Sequence, residues 1–173
     1  RLVQKACKQV VAKEKPYLLV LAFPCGPWSA LMRLNPAHDL AQKRAEGIQL
    51  IRFALELAEE QLKQGRHFLL ENPLTAESWS VDELRQFLQR LECHQAIFDQ
   101  CRFNLRGNSG LLHKKATKIV TSSEAIANRL DGKRCTRDHP HEQVLGGSKI
   151  TSAAGHYTKE LAREIIKGIE EEF

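Results

Sequence analysis

No stretch of this 173-residue sequence is apolar for long enough to cross a membrane, and no signal-peptide pattern opens it. These absences exclude a membrane-spanning role and predict an intracellular protein that is not secreted, a nuclear one if the host is eukaryotic. Internal repeats, low-complexity tracts and long linkers are missing as well, which predicts one domain over residues 1–173. Cysteine is scarce and odd in number: Cys7, Cys25, Cys93, Cys101 and Cys135 are widely spaced and include no paired CxxC. A disulfide framework is thereby disfavoured, and free or metal-bound thiols in a reducing compartment are expected. The sequence also lacks an opening methionine. It starts at Arg1 inside a helix-like pattern, so it is expected to be part of a longer polypeptide.

What is present is an ordinary globular composition, 42% hydrophobic and 27% charged, with a net charge of +5. The charge is unevenly distributed. Between Arg102 and Arg137 there are nine Lys or Arg residues and two acids, a window of +7, so the remainder is slightly acidic. Arg102, Arg106, Lys114, Lys115, Lys133 and Arg134 are the candidate contacts to nucleic-acid phosphates, with DNA the expected partner. The alternative is a solvated basic face.

Hydrophobic periodicity predicts a helix over 2–14, a buried strand over 17–22, and a long helix over 38–64 stopped by Gly65. A second short strand, 67–70, ends in Glu71-Asn72-Pro73. Ser80 and Glu83 have capping-box spacing for a helix over 81–91, with Val81, Leu84, Leu88 and Leu91 inward. Strands are expected at 95–99 and about 117–120, and a short helix over 122–130 with Thr121 and Glu124 as its capping box. Residues 131–147 read as irregular. A final helix at about 158–171 has Leu161, Ile165, Ile166 and Ile169 on its core side. Strands alternating with amphipathic helices imply an α/β fold, a mostly parallel sheet with helices on both faces. The third and fourth strands have no helix between them, which predicts an antiparallel hairpin at a sheet edge.

Phe23-Pro24-Cys25-Gly26-Pro27-Trp28-Ser29 follows the first strand, where open α/β sheets place their ligand crevice. A thiol there is a candidate nucleophile; otherwise it fills a tight turn. The second strand should neighbour the first, bringing Glu71 and Asn72 to the same rim. A thiol with a carboxylic acid suits covalent addition to an electron-poor ring, the acid supporting the ring nitrogen that gains charge. The catalytic candidates are therefore Cys25, Glu71 and Asn72. Trp28 and Trp79 read as packing residues, and His67, His94 and His113 as core or surface histidines.

Pro24-Cys25 followed by Pro27-Trp28-Ser29 resembles the Pro-Cys-Gln-Pro-Phe-Ser catalytic loop of C5-cytosine DNA methyltransferases. Glu71-Asn72-Pro73 is similar to their Glu-Asn-Val motif, and the final helix, with Leu161-Ala162, Ile165 and Gly168-Ile169, looks like their last motif. His113-Lys114-Lys115-Ala116-Thr117 stands where the family has a Gln-x-Arg-x-Arg strand. A further resemblance is to methyltransferase-like segments of retroelement-type polyproteins. The resemblance implies a Rossmann-like fold and S-adenosylmethionine as cofactor, with Pro24 and Ser29 beside it. It implies that Cys25 attacks ring carbon 6 of a flipped-out cytosine while Glu71 engages nitrogen 3. Gly26 and Pro73 depart from the family pattern, and the glycine-rich cofactor loop of the fold is missing, so cofactor binding would need residues upstream of Arg1. The rival reading is an inactive descendant that serves as a nucleic-acid-binding or scaffold segment. A cysteine hydrolase is a third, but no histidine has an evident claim to pair with Cys25.

Cys135, His139 and His141 have spacings suited to three zinc ligands, with Cys101 or Cys93 as the fourth. The alternative there is a hydrogen-bonded loop.

Overall fold

In the computed structural model, which describes residues 2–29, 37–142 and 155–173, the chain forms two compact units, Arg1–Cys93 and His94–Phe173. The architecture is α/β, with both parallel and antiparallel strand pairing.

In the first unit, α1 (Leu2–Glu14) leads into β1 (Leu18–Leu21), α2 (Ala37–Lys63), β2 (His67–Pro73) and α3 (Asp82–Arg90). β1 and β2 pair in parallel, from Leu18 opposite His67 to Leu21 opposite Leu70. Such a pairing needs a long crossover, and α2 supplies it. Ile51, Leu55 and Ala58 give α2 a buried stripe at helical spacing. Gly65 then stops the helix at φ +66°, a conformation that favours glycine. The Arg66 N–H reaches back to the Gln61 carbonyl at 2.8 Å and the Gly65 N–H to Leu62 at 3.0 Å. The buried Gln61 amide donates to the carbonyls of Pro16 (2.9 Å) and His67 (3.0 Å), so the end of α2 fixes the starts of both strands. Phe68 of β2 meets Phe87 of α3 edge to face at 5.8 Å, inside a core that also holds Ile51, Leu70 and Leu84.

The second unit comprises β3 (His94–Asp99), β4 (Leu112–His113), β5 (Ala116–Thr121), α4 (Glu124–Leu130), β6 (His141–Glu142) and α5 (Lys159–Glu170). β3 and β5 pair antiparallel, from His94 opposite Thr121 to Asp99 opposite Ala116, as the missing helix between them implied. Two-residue strands β4 and β6 pair in parallel. Thr158 caps α5 by accepting the Leu161 N–H at 3.1 Å. Arg129 on α4 bridges Glu164 (2.6 Å) and Glu171.

Three local expectations fail for identifiable reasons. The Ser80–Glu83 capping box does not form. Val81 is the N-cap, without a side-chain cap, and Glu83 accepts from Arg52 Nε at 3.0 Å instead. α4 is capped by Ser123, whose Oγ accepts the Ile126 N–H at 3.1 Å, while Thr121 accepts the N–H of Ser123 itself. Ile166 is 52% exposed: Leu161, Ile165 and Gly168 are the buried residues of α5, and one further step around the helix carries Ile166 off that face. Positions 143–147 of the expected irregular segment and 30–36 of the loop after β1 lie outside the described residues.

Candidate functional site

The parallel register of β1 and β2 sets the Pro-Cys loop beside Glu71-Asn72-Pro73. Glu71 is the residue after the last registered pair, Leu21 with Leu70, and the chain beyond Leu21 turns through Phe23 and Pro24 to an exposed Cys25. Cys25 opens a 3-10 turn, Gly26–Trp28, closed by the Trp28 N–H on the Cys25 carbonyl at 3.0 Å. The indole of Trp28 is buried against α2, where Gly47 lets it approach: a Cβ there would stand 3.1 Å from Cζ2. Arg44 Nε donates to the Pro27 carbonyl at 3.3 Å, its guanidinium lies 5.7 Å from the Trp28 ring, and it pairs with Glu77. The loop carrying the thiol is therefore held by α2.

Asn72 ties that loop to β2. It is 1% exposed, and its side-chain amide donates to the carbonyls of Phe23 (3.1 Å) and Glu71 (2.9 Å). The buried Ser78 hydroxyl donates to Asn72 Oδ1 at 3.5 Å. Trp79 Nε1 donates to the Pro73 carbonyl at 2.9 Å and fixes the turn that follows. Asn72 thus faces backbone, and its part is to position the loop.

A cavity of about 160 Å³ is lined by Cys25, Ser29, Pro73, Thr75 and Ala76. Drug-sized ligands occupy roughly 300–1,000 Å³, so this hollow suits a single ring. Glu71 is buried at 6% exposure and shares a face of β2 with Pro73 by the two-residue repeat of a strand, but it is not among the lining residues. Pro24 and Ser29 line different cavities. Pro24 lines a larger apolar cavity of about 630 Å³ with Val10 and Val11 of α1 and Phe53 and Leu57 of α2.

In the second unit the Cys/His candidates converge. Cys101 sits in the 3-10 turn after β3, Cys135 and His139 on the loop after α4, and His141 on β6. Their ligand atoms all lie within 4.8 Å of one another, a group that could hold a metal ion. Of the two cysteines weighed for the fourth place, Cys101 takes it. Cys135 Sγ lies 3.3 Å from His141 Nε2 and 3.7 Å from His139 Nε2, and it accepts the Arg137 N–H at 3.3 Å. Arg137 adopts φ +62°, which turns its N–H back onto the sulfur. With the cluster metal-free, burial, a hydrogen bond and repulsion from Cys135, and the charge of Asp99 push the Cys101 thiol up to about 12. Burial and the neighbouring His139 lower the His141 pKa.

The basic candidates divide. Arg134 Nε is 3.2 Å from the buried Asp99 carboxylate, and Arg106 is folded onto Asn104 (2.8 Å) and the Gly110 carbonyl (2.7 Å). Arg102 and Lys133 line a shallow cavity of about 390 Å³ with Glu160, Arg163 and Glu164, a surface of mixed sign. Lys114 and Lys133 are exposed and Lys115 is half-buried.

Asp99 is the residue that reading by motif misses. A lone acid ending a strand carries no local signal, and its partners, Arg134 and the Cys135 N–H, come from a distant loop. No known family model matches the chain, and no curated protein matches it in sequence.

Proposed function

We propose that this chain is a methyltransferase-like α/β domain whose Cys25 and Glu71 form a site for covalent addition to cytosine. One observation carries the reading. The exposed thiol and the Glu-Asn-Pro segment stand at the ends of neighbouring parallel strands, joined by the amide of Asn72 on the Phe23 carbonyl. In the step this supports, the Cys25 thiol gives its proton to solvent and the sulfur bonds to ring carbon 6. The carbon 5–carbon 6 double bond opens, and the Glu71 carboxyl supports the charge that reaches nitrogen 3. A one-ring cavity beside Cys25 fits a base withdrawn from its stack, and Glu71, outside its lining, shares a face of β2 with the lining residue Pro73.

S-adenosylmethionine is the methyl donor of the enzymes this site resembles, and the cavity beside Pro24 does not fit it. The cavity beside Pro24 has no charged side chain among its described lining residues, whereas the donor carries an amino-acid head and a sulfonium. No methyl-transfer step is assigned to this chain.

A second reading is an inactive relative that binds nucleic acid, and the Cys/His group favours it. Zinc is the ion assigned to that group, in a structural role, within the same unit as the exposed Lys114 and Lys133. Alkylation of Cys25 decides between the two. Cytosine-containing single-stranded DNA should slow iodoacetamide labelling of Cys25, mapped by peptide mass, and Glu71→Gln should weaken the protection. Equal labelling with and without DNA that binds the chain favours the second reading.

A further inference from the structure

We propose that Asp99 and Asp138 are the outer-shell carboxylates of a closed, four-coordinate zinc centre that fastens the loop after α4 to the end of β3. The proposal rests on the reading of Cys101, Cys135, His139 and His141 as zinc ligands, and adds which residues aim them and what the centre does.

The donor spacing around Cys135 suits the ion. With Zn–S near 2.3 Å and Zn–N near 2.0–2.1 Å, the edges of a tetrahedron come to roughly 3.3–3.8 Å. The two sulfur–nitrogen separations at Cys135 are 3.3 and 3.7 Å. Two thiols and two imidazoles fill four positions, so none is left for a water or substrate, and the centre is structural rather than hydrolytic.

Each carboxylate fixes a different ligand. Asp138 accepts a hydrogen bond from His139 Nδ1 at 2.7 Å and is itself held by the Thr136 hydroxyl at 2.7 Å. That bond puts the proton of neutral His139 on Nδ1 and leaves the Nε2 lone pair free on the side of Cys135. Asp99, 1% exposed, accepts the Cys135 N–H at 2.8 Å on Oδ2, which also forms an ion pair with Arg134. Its Oδ1 is buried with no partner among the described residues. A buried carboxylate with an unmatched oxygen calls for positive charge nearby. Zinc with two thiolates is neutral, and Asp99 with Arg134 is neutral, so the one charge left over is the exposed Asp138 carboxylate. Arg134 therefore serves this centre from within the unit, where the sequence alone had suggested a phosphate contact.

Cobalt titration of the metal-stripped full chain tests this. The unaltered protein should develop the intense visible ligand-field bands of tetrahedral cobalt with thiolate charge transfer, complete at equimolar metal. Cys101→Ser should diminish the thiolate band. Asp99→Asn and Asp138→Asn should keep the tetrahedral bands and require ~10–100-fold more free metal, measured by chelator competition. Asp138 is exposed, so its variant reports on the outer shell even if Asp99→Asn fails to fold. Weak octahedral bands in the unaltered chain would overturn the centre itself. Tetrahedral bands with unchanged affinity in Asp138→Asn and in folded Asp99→Asn would overturn the outer shell while leaving the zinc ligands standing.

Discussion

Asn72 stands next to Glu71 in sequence, yet its side chain serves the carbonyl of Phe23, 49 residues away, and that of Glu71. Replacing it with alanine leaves both buried carbonyls without this donor, a loss of about 1–3 kcal/mol. Asn72→Ala should therefore lower the urea midpoint by a corresponding amount and loosen the Cys25 loop, seen as faster alkylation of Cys25. An unchanged midpoint and labelling rate would mean the loop is held by α2 alone, through Trp28 and Arg44. Cys25 and Glu71 were both legible as residues that follow an apolar run, but β2 continues to Pro73, so Glu71 lies inside the strand, and Cys25 stands four residues beyond β1. The sequence could not assign Asn72 or Asp99, whose partners are fixed only by the folded chain. The metal ligands lay between these cases: the spacing of Cys135, His139 and His141 was visible locally, whereas the choice of Cys101 needed the 3-10 turn after β3.

Helix α5 packs on α4 through Gly168, where an added Cβ would stand 2.8 Å from Ile126 Cα and the same distance from Cγ1. Alanine improves helix propensity by roughly 1 kcal/mol. It must here displace backbone, and overpacking of that kind costs about 1–3 kcal/mol. Gly168→Ala should accordingly be destabilising on balance, by calorimetry or urea unfolding; a stabilised variant would mean the two helices separate freely. The glycine was legible in the sequence only as part of a helical motif, since nothing local shows that Ile126 backbone lies against it. Helix boundaries were readable from periodicity, but caps were less so. Ser123 lies between the two residues whose spacing suggested a capping box, and Glu83 was drawn to Arg52 on another helix. In each case a competing partner displaced the local pattern.

Across the whole molecule, charge separates from composition: the +7 window falls within the second unit, but Arg106 and Arg134 are engaged internally. Lys114 and Lys133 are the exposed lysines of that window, and half-buried Lys115 follows Lys114. Each phosphate contact contributes a slope of about −0.9 to the logarithm of affinity against the logarithm of salt concentration. Replacing these three lysines with glutamine should make the slope shallower by up to about 2.7. An unchanged slope would make the lysines a solvated face. The claim that Cys25 adds to a pyrimidine is tested most directly by DNA carrying pyrimidin-2-one in place of cytosine. That ring accepts a thiol at carbon 6, with a solvent proton completing carbon 5, and requires no methyl donor. Intact mass spectrometry should show the chain joined to one oligonucleotide, with no adduct in Cys25→Ser and slower formation in Glu71→Gln. Tight binding of this DNA without any adduct at Cys25 would contradict the account.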